Sequence, residues 1–243
     1  MERPDMHKLS KFIGISIPGL DGRLTNLPRG ESVANWPDND IEPHKRFESE
    51  GMSPVEAAAA LAVFGLESGD APGPPLMTEK PVYPGFRRFL GEPVWAEALP
   101  GVSRKQRLVL VAGLLQIFDF WDDSHEAAQQ AGDLGERPCS ASWHAICHRR
   151  EPDPGNAGYW LAKARNHPIG TRLAEIIEST LDRLDPGIRP LAERLIRGGE
   201  FQDRAMVEAC CRPRPPDAEK RLLRQVQKLE MALLIGATLD ELA

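Results

Sequence analysis

Residues 103–131 read SRKQRLVLVAGLLQIFDFWDDSHEAAQQA, and the phase of their apolar positions decides the fold. Leu108, Val111, Leu115 and Phe118 recur at three-and-four spacing, the signature of one buried helix face, and Ser103 stands where a cap is needed. Asp122, Asp123 and Ser124 then offer caps for a short second helix carrying His125, Glu126 and Gln129. Toward the C-terminus, residues 132–138 read as a turn. Ser140 opens a helix that must stop near Arg150, because Glu151 precedes a proline. Asp153-Pro154 starts the next, with aspartate as cap and proline in the first turn. Leu173, Ile176, Ile177, Thr180, Leu181 and Leu184 keep helical spacing up to Pro186-Gly187. Leu191 to Ile196 and Met206 to Cys210 read as shorter pieces. The segment Asp217 to Ile235 sets Leu222, Val226, Leu229 and Leu233 on one stripe. Nothing in this half alternates with period two. The expected fold is all-α, a bundle of helical hairpins over residues 94–243. Two similar helix starts, at Trp121 and Pro152, lie 31 residues apart and hint at stacked hairpins.

The other side of this stretch has a different composition. Of 22 prolines, 13 lie in the first 100 residues. Residues 1–93 therefore read as a Pro-rich, largely irregular N-terminal arm, with one strand-like stretch at Phe12 to Ile17 and a loop or linker at Ser68 to Pro75. One helix is expected in the arm, at about 53–65. Ser53-Pro54-Val55-Glu56 is a capping box with proline at its first helical position, and an alanine-rich run follows.

With 243 residues and 41% apolar content, the chain can bury a sizeable core. A formal charge of −6 gives no global attraction to nucleic acid or anionic membranes. Between Arg189 and Lys228 ten basic residues face six acidic ones, without the interleaved aromatics that stack on bases. No apolar run approaches the length of about 18 residues that a membrane-spanning helix needs, and the first residues lack a secretory pattern. Cys139, Cys147, Cys210 and Cys211 form no CxxC, which fits reduced thiols. A cytoplasmic location without nucleic-acid or membrane partners is the expectation.

The chemistry concentrates between residues 121 and 168, which hold four of the six histidines and three of the five tryptophans. His144 and His148 are four apart and leave one helix face, with Cys147 and Glu151 on or near that stripe. Asp122, His125 and Gln129 form a second polar stripe on the preceding helix. If the two stripes meet, three readings follow. The first is a divalent transition metal held by His125, His144 and His148 with Glu126 or Glu151. The second is a metal-free pocket for a small polar ligand. There His144 and His148 would move protons, Glu126 would lie opposite them, and Arg149 or Arg150 would grip an anionic group. The third is a structural network of mutually satisfied groups on a helical scaffold that docks another protein.

The runs Trp121 to Gln129, Trp143 to Asp153, Asn156 to Trp160 and His167-Pro168 resemble a family of bacterial and fungal proteins. The shared pattern has the form HExAQ, then WHAxxHRRExDxxNAxYW, then HP. The resemblance covers about fifty residues and implies that a site lies in this window. It implies no particular reaction. The segment 161–165 departs from the more aromatic and basic version of that family.

Overall fold

The structure is a computed structural model that describes residues 51, 53–67, 73–81, 83–164 and 167–242. In chain order come α1 (Pro54–Glu67), a 3-10 turn (Pro84–Phe86), α2 (Arg87–Leu90), α3 (Glu92–Ala98), α4 (Arg104–Ile117) and α5 (Trp121–Asp133). Then follow α6 (Cys139–Arg150), α7 (Pro154–Lys163), α8 (Ile169–Glu178), a second 3-10 turn (Leu181–Arg183) and α9 (Arg189–Arg194). Strands β1 (Ile196–Arg197) and β2 (Glu200–Phe201), α10 (Asp203–Cys210) and α11 (Asp217–Asp240) complete the order. The all-α expectation holds among the described residues. Its one exception is the β1–β2 hairpin, which pairs Ile196 with Phe201 and Arg197 with Glu200. Gly198 and Gly199 make its turn at φ of 60° and 76°, the left-handed backbone that a two-residue hairpin loop demands. No helix of the described residues is long and apolar enough to cross a membrane.

α4, α5, α6 and α7 pack successively as neighbours, and α6 also touches α4, α10 and α11. Every residue of α6 is buried as a result. Small side chains let these helices approach. A Cβ at Gly113 of α4 would stand 2.7 Å from the Trp143 ring of α6, so only glycine fits there. Ser124 of α5 donates its hydroxyl to the Ala112 carbonyl at 2.8 Å, closing α5 onto α4. Two apolar clusters share α11. Met231, Leu234, Ile235 and Leu239 belong to the cluster built with α1, α3, α4 and α6. Leu222, Leu223, Val226 and Leu233 belong to the cluster built with α8, α9 and α10. Each large side chain so buried contributes roughly 1.5–3 kcal/mol by leaving water.

Several local expectations are corrected. Phe12 to Ile17 lies outside the described residues, as does part of Ser68 to Pro75. The helix expected at about 53–65 runs over Pro54–Glu67, and its capping box is present: the Ser53 N–H donates to Glu56 at 2.7 Å. The described residues of 54–98 pack against the helices that follow. Ala58, Leu61, Phe86, Leu90 and Trp95 are buried in one cluster with Leu110 and Leu114, so a boundary at 93 cuts through a core. α5 starts at Trp121, which places Asp122 and Asp123 in its first turn, favourable to the helix dipole, rather than at the cap. α8 stops at Glu178 instead of running on to Leu184. There Ser179 and Thr180 donate their hydroxyls to the Ile176 and Ile177 carbonyls, taking acceptors from the helical ladder.

Candidate functional site

α6 is a buried helix that carries His144, His148, Arg149 and Arg150, residue types that are seldom buried unless paired. Its two polar faces meet different surroundings.

The imidazole face lies against α5 and α7. His125 from α5 and His144 and His148 from α6 each offer a nitrogen within 4.8 Å of the others. Nε2 of His125 and Nε2 of His144 are 2.8 Å apart. The His144 and His148 rings are nearly parallel, with centroids 5.1 Å apart and planes 17° from one another, as one helical turn dictates. The His125 ring stands edge-on to both, at 4.3 Å and 5.0 Å. Two tryptophans bracket the trio. Trp160 of α7 stacks on His144 at 3.8 Å, and Trp121 stacks on His125 at 5.4 Å while donating its N–H to the Cys147 carbonyl. Glu151 holds Nδ1 of His148 at 3.1 Å.

Burial pushes the His144 imidazole down to about 3, and its neighbours His125 and His148 add to the shift. Burial also lowers His125, with His148 acting in the same direction. His144 is therefore a neutral imidazole at neutral pH. Its Nδ1 is buried and has no hydrogen-bond partner among the described residues. A neutral ring has one N–H and one lone pair. The least costly assignment points the N–H at His125 and leaves the lone pair on Nδ1 unmatched.

The arginine face turns away from the imidazoles and is occupied. Arg149 meets Glu230 of α11 through two bonds, at 3.0 Å and 2.5 Å, and a third goes to Gln227. Arg150 donates to the Pro75 and Gln116 carbonyls and to Asp119 at 2.8 Å. Asp119 sits at a left-handed φ of 68° and also accepts the Glu79 N–H, so Arg150 ties the α4–α5 turn to the segment 75–79. Neither guanidinium is free to grip an anion beside the histidines. That expectation is corrected, and the cause is simple: residues 149 and 150 leave α6 about 100° and 200° round from His148.

Glu126 is likewise displaced from its expected role. It is exposed on α5 and accepts from Gln130, outside the imidazole group. Glu151 stands as the carboxylate that orients His148. With Asp153 it forms a second, more exposed grouping around that ring. Asp153 caps α7 as the sequence suggests, accepting the Asn156 N–H at 3.0 Å. His167 joins the starts of α8 and α6. Its Nδ1 accepts the Ile169 N–H, and its Nε2 lies 3.1 Å from Cys139 Sγ.

Sequence reasoning overlooks the partners of the arginine face. A signal exists for them: Gln227 and Glu230 are three apart and share a face of α11 with Leu223 and Leu234, where a polar pair needs a reason. It also overlooks a cavity of about 440 Å³ beside α8, whose lining includes His167, Glu200, Asp203 and Glu230 but none of the three clustered imidazoles.

No family model matches the chain, and comparison with curated proteins and with solved structures finds no match for it.

Proposed function

We propose that His125, His144 and His148 bind one divalent transition metal and leave a coordination position open to a small polar ligand. The carrying observation is the convergence of three imidazole nitrogens within 4.8 Å, one of the rings being oriented by a carboxylate. Neutral imidazoles suit zinc, nickel, copper or iron, not magnesium or calcium. Three protein ligands plus a free position is the arrangement of catalytic metal centres, and a carboxylate behind a ligating histidine is their usual support. Two imidazoles on a tetrahedral zinc stand roughly 3.3 Å apart, given bonds of about 2.0–2.1 Å. The 2.8 Å spacing of His125 and His144 must therefore open slightly, which the half-buried His125 ring permits. Because both arginines are paired elsewhere, a metal-free pocket built on an arginine clamp has lost its clamp. A cytoplasmic setting belongs to the proposal, supported by four free cysteines.

The competing reading is a structural network on a protein-docking scaffold. The short His125–His144 contact and the stacking of His144 on Trp160 favour it. Equilibrium dialysis against zinc, with elemental analysis, separates the two. The proposal expects about one equivalent in the wild type, little in His148→Ala or His125→Ala, and affinity lowered on the order of 10–100-fold in Glu151→Gln. Zinc retained no better by the wild type than by the variants would leave only the structural network.

A further inference from the structure

The start of α6 carries a second group of metal-ligating side chains. Glu136 in the turn before α6, Cys139 at its first position and Glu241 at the end of α11 offer two carboxylate oxygens and one sulfur, all within 4.8 Å of one another. Cys139 leaves α6 about 140° round from His144 and about 180° round from His148. The group therefore shares no ligand with the imidazoles. Glu136 is 5% exposed and Cys139 is 1% exposed, and a carboxylate is seldom buried so deeply unless paired.

The surroundings fit a cation in three separate ways. Glu136 is oriented by the Ser140 N–H, which it accepts at 2.6 Å, and a carboxylate so held keeps lone pairs for a further partner. His167, just before α8, turns an N–H toward the sulfur: its Nδ1 accepts the Ile169 N–H, so the ring proton sits on Nε2, 3.1 Å from Cys139 Sγ. A hydrogen bond to sulfur from outside the ligand set is a usual support for a metal-bound thiolate. Glu241 stands at the C-terminal end of α11, where the helix dipole disfavours a carboxylate and favours a positive charge. Burial pushes the Cys139 thiol up, and Glu241 and Glu136 push it further, whereas a divalent ion at this place would hold the sulfur as thiolate.

We infer that Glu136, Cys139 and Glu241 form a second metal site, for one divalent ion of the zinc type, which fastens the end of α11 to the start of α6. A thiolate ligand selects such ions over magnesium or calcium. Donors on a tetrahedral zinc stand roughly 3.3–3.6 Å apart, so the group closes by at most about 1.5 Å, which the exposed Glu241 side chain permits. Coordination replaces the Cys139 S–H bond with a metal–sulfur bond and releases one proton to water. Because that proton is tightly held, this site is the weaker of the two and fills after the imidazoles have taken their one equivalent. The inference goes beyond the imidazole proposal and does not depend on it.

Titration of the intact, reduced chain with cobalt(II), followed by absorption, tests this. A sulfur ligand gives an intense near-ultraviolet charge-transfer band to cobalt and imidazoles give none, so the band reports Cys139 whether or not the imidazoles bind metal. In the wild type the band is expected to saturate at about one sulfur-bound ion per chain. It should vanish in Cys139→Ala, need about tenfold more cobalt in Glu241→Gln, and persist in the double variant His125→Ala/His148→Ala. No band at cobalt on the order of 1 mM, a band that survives Cys139→Ala, or a band lost with the two histidines would overturn the inference. The wild-type titration and Glu241→Gln, altered only at an exposed helix end, decide even if Cys139→Ala fails to fold. Failure of the imidazole proposal shows in the zinc dialysis and leaves this band in place.

Discussion

Two faces of one buried helix handle polarity in opposite ways. On the arginine face of α6, Arg149 and Arg150 are 3% and 0% exposed, and each is met by a carboxylate and further acceptors. On the imidazole face, His144 is as deeply buried, yet one of its nitrogens has no partner among the described residues and the other leans on a second histidine. A buried charge must be compensated or the fold fails. A buried neutral imidazole can be left half-satisfied at a cost of about 1–3 kcal/mol. Each face keeps one buried polar atom unmatched among the described residues, Nε of Arg149 and Nδ1 of His144, but only the arginine face has its charges balanced by carboxylates, which makes it architecture.

The sharpest way to break this contrast is to remove one arginine. Arg149→Met leaves the Glu230 charge buried without a partner, and the loss is expected at about 3–5 kcal/mol in urea unfolding. The double variant Arg149→Met/Glu230→Leu removes both charges, and most of that loss should return. A single variant as stable as the wild type would show that water reaches Glu230 and that the arginine face is not a sealed ion pair.

How much of this could be read in the chain follows the same division. Ser103, the Ser53–Glu56 box and Asp153-Pro154 act within one turn of backbone, and each caps the helix it was expected to cap. The meeting of His144 with His148 follows from helical phase alone. Their meeting with His125 follows from a short connection that makes α5 and α6 neighbours. What was not legible depends on distant partners. Nothing near Arg149 announces Glu230, 81 residues on, and nothing near Arg150 announces the Pro75 carbonyl, 75 residues back. The hairpin of β1 and β2 was missed because two-residue strands are too short to show alternation. Its Gly198-Gly199 turn was the available sign.

A third histidine sharpens the contrast, because both nitrogens of His167 are engaged, by the Ile169 N–H and by Cys139. Burial pushes this imidazole down to about 4. The folded chain thus binds its proton less readily than the unfolded chain, whose histidine titrates near 6.5. The stability contributed by neutral His167 is present above about pH 6.5 and is lost as the pH falls toward 4. Urea midpoints measured between pH 7 and pH 4.5 should fall further in the wild type than in His167→Gln. Parallel pH profiles would mean that water reaches the ring and that burial does not set its titration.

The smallest effect on stability is expected where the effect on binding is largest. His144→Phe keeps a ring on Trp160, discards the unmatched Nδ1 and gives up the bond to His125. The gain from removing a buried orphan and the loss of one neutral hydrogen bond are each on the order of 1 kcal/mol and of opposite sign. His125 is only half-buried, so water can serve its freed nitrogen. Urea unfolding should place the variant within about 1 kcal/mol of the wild type, while zinc binding in dialysis disappears. A loss of about 3 kcal/mol or more would instead mean that the imidazoles hold α5, α6 and α7 together as firmly as the arginines hold α11, and the two faces would then differ in chemistry without differing in purpose.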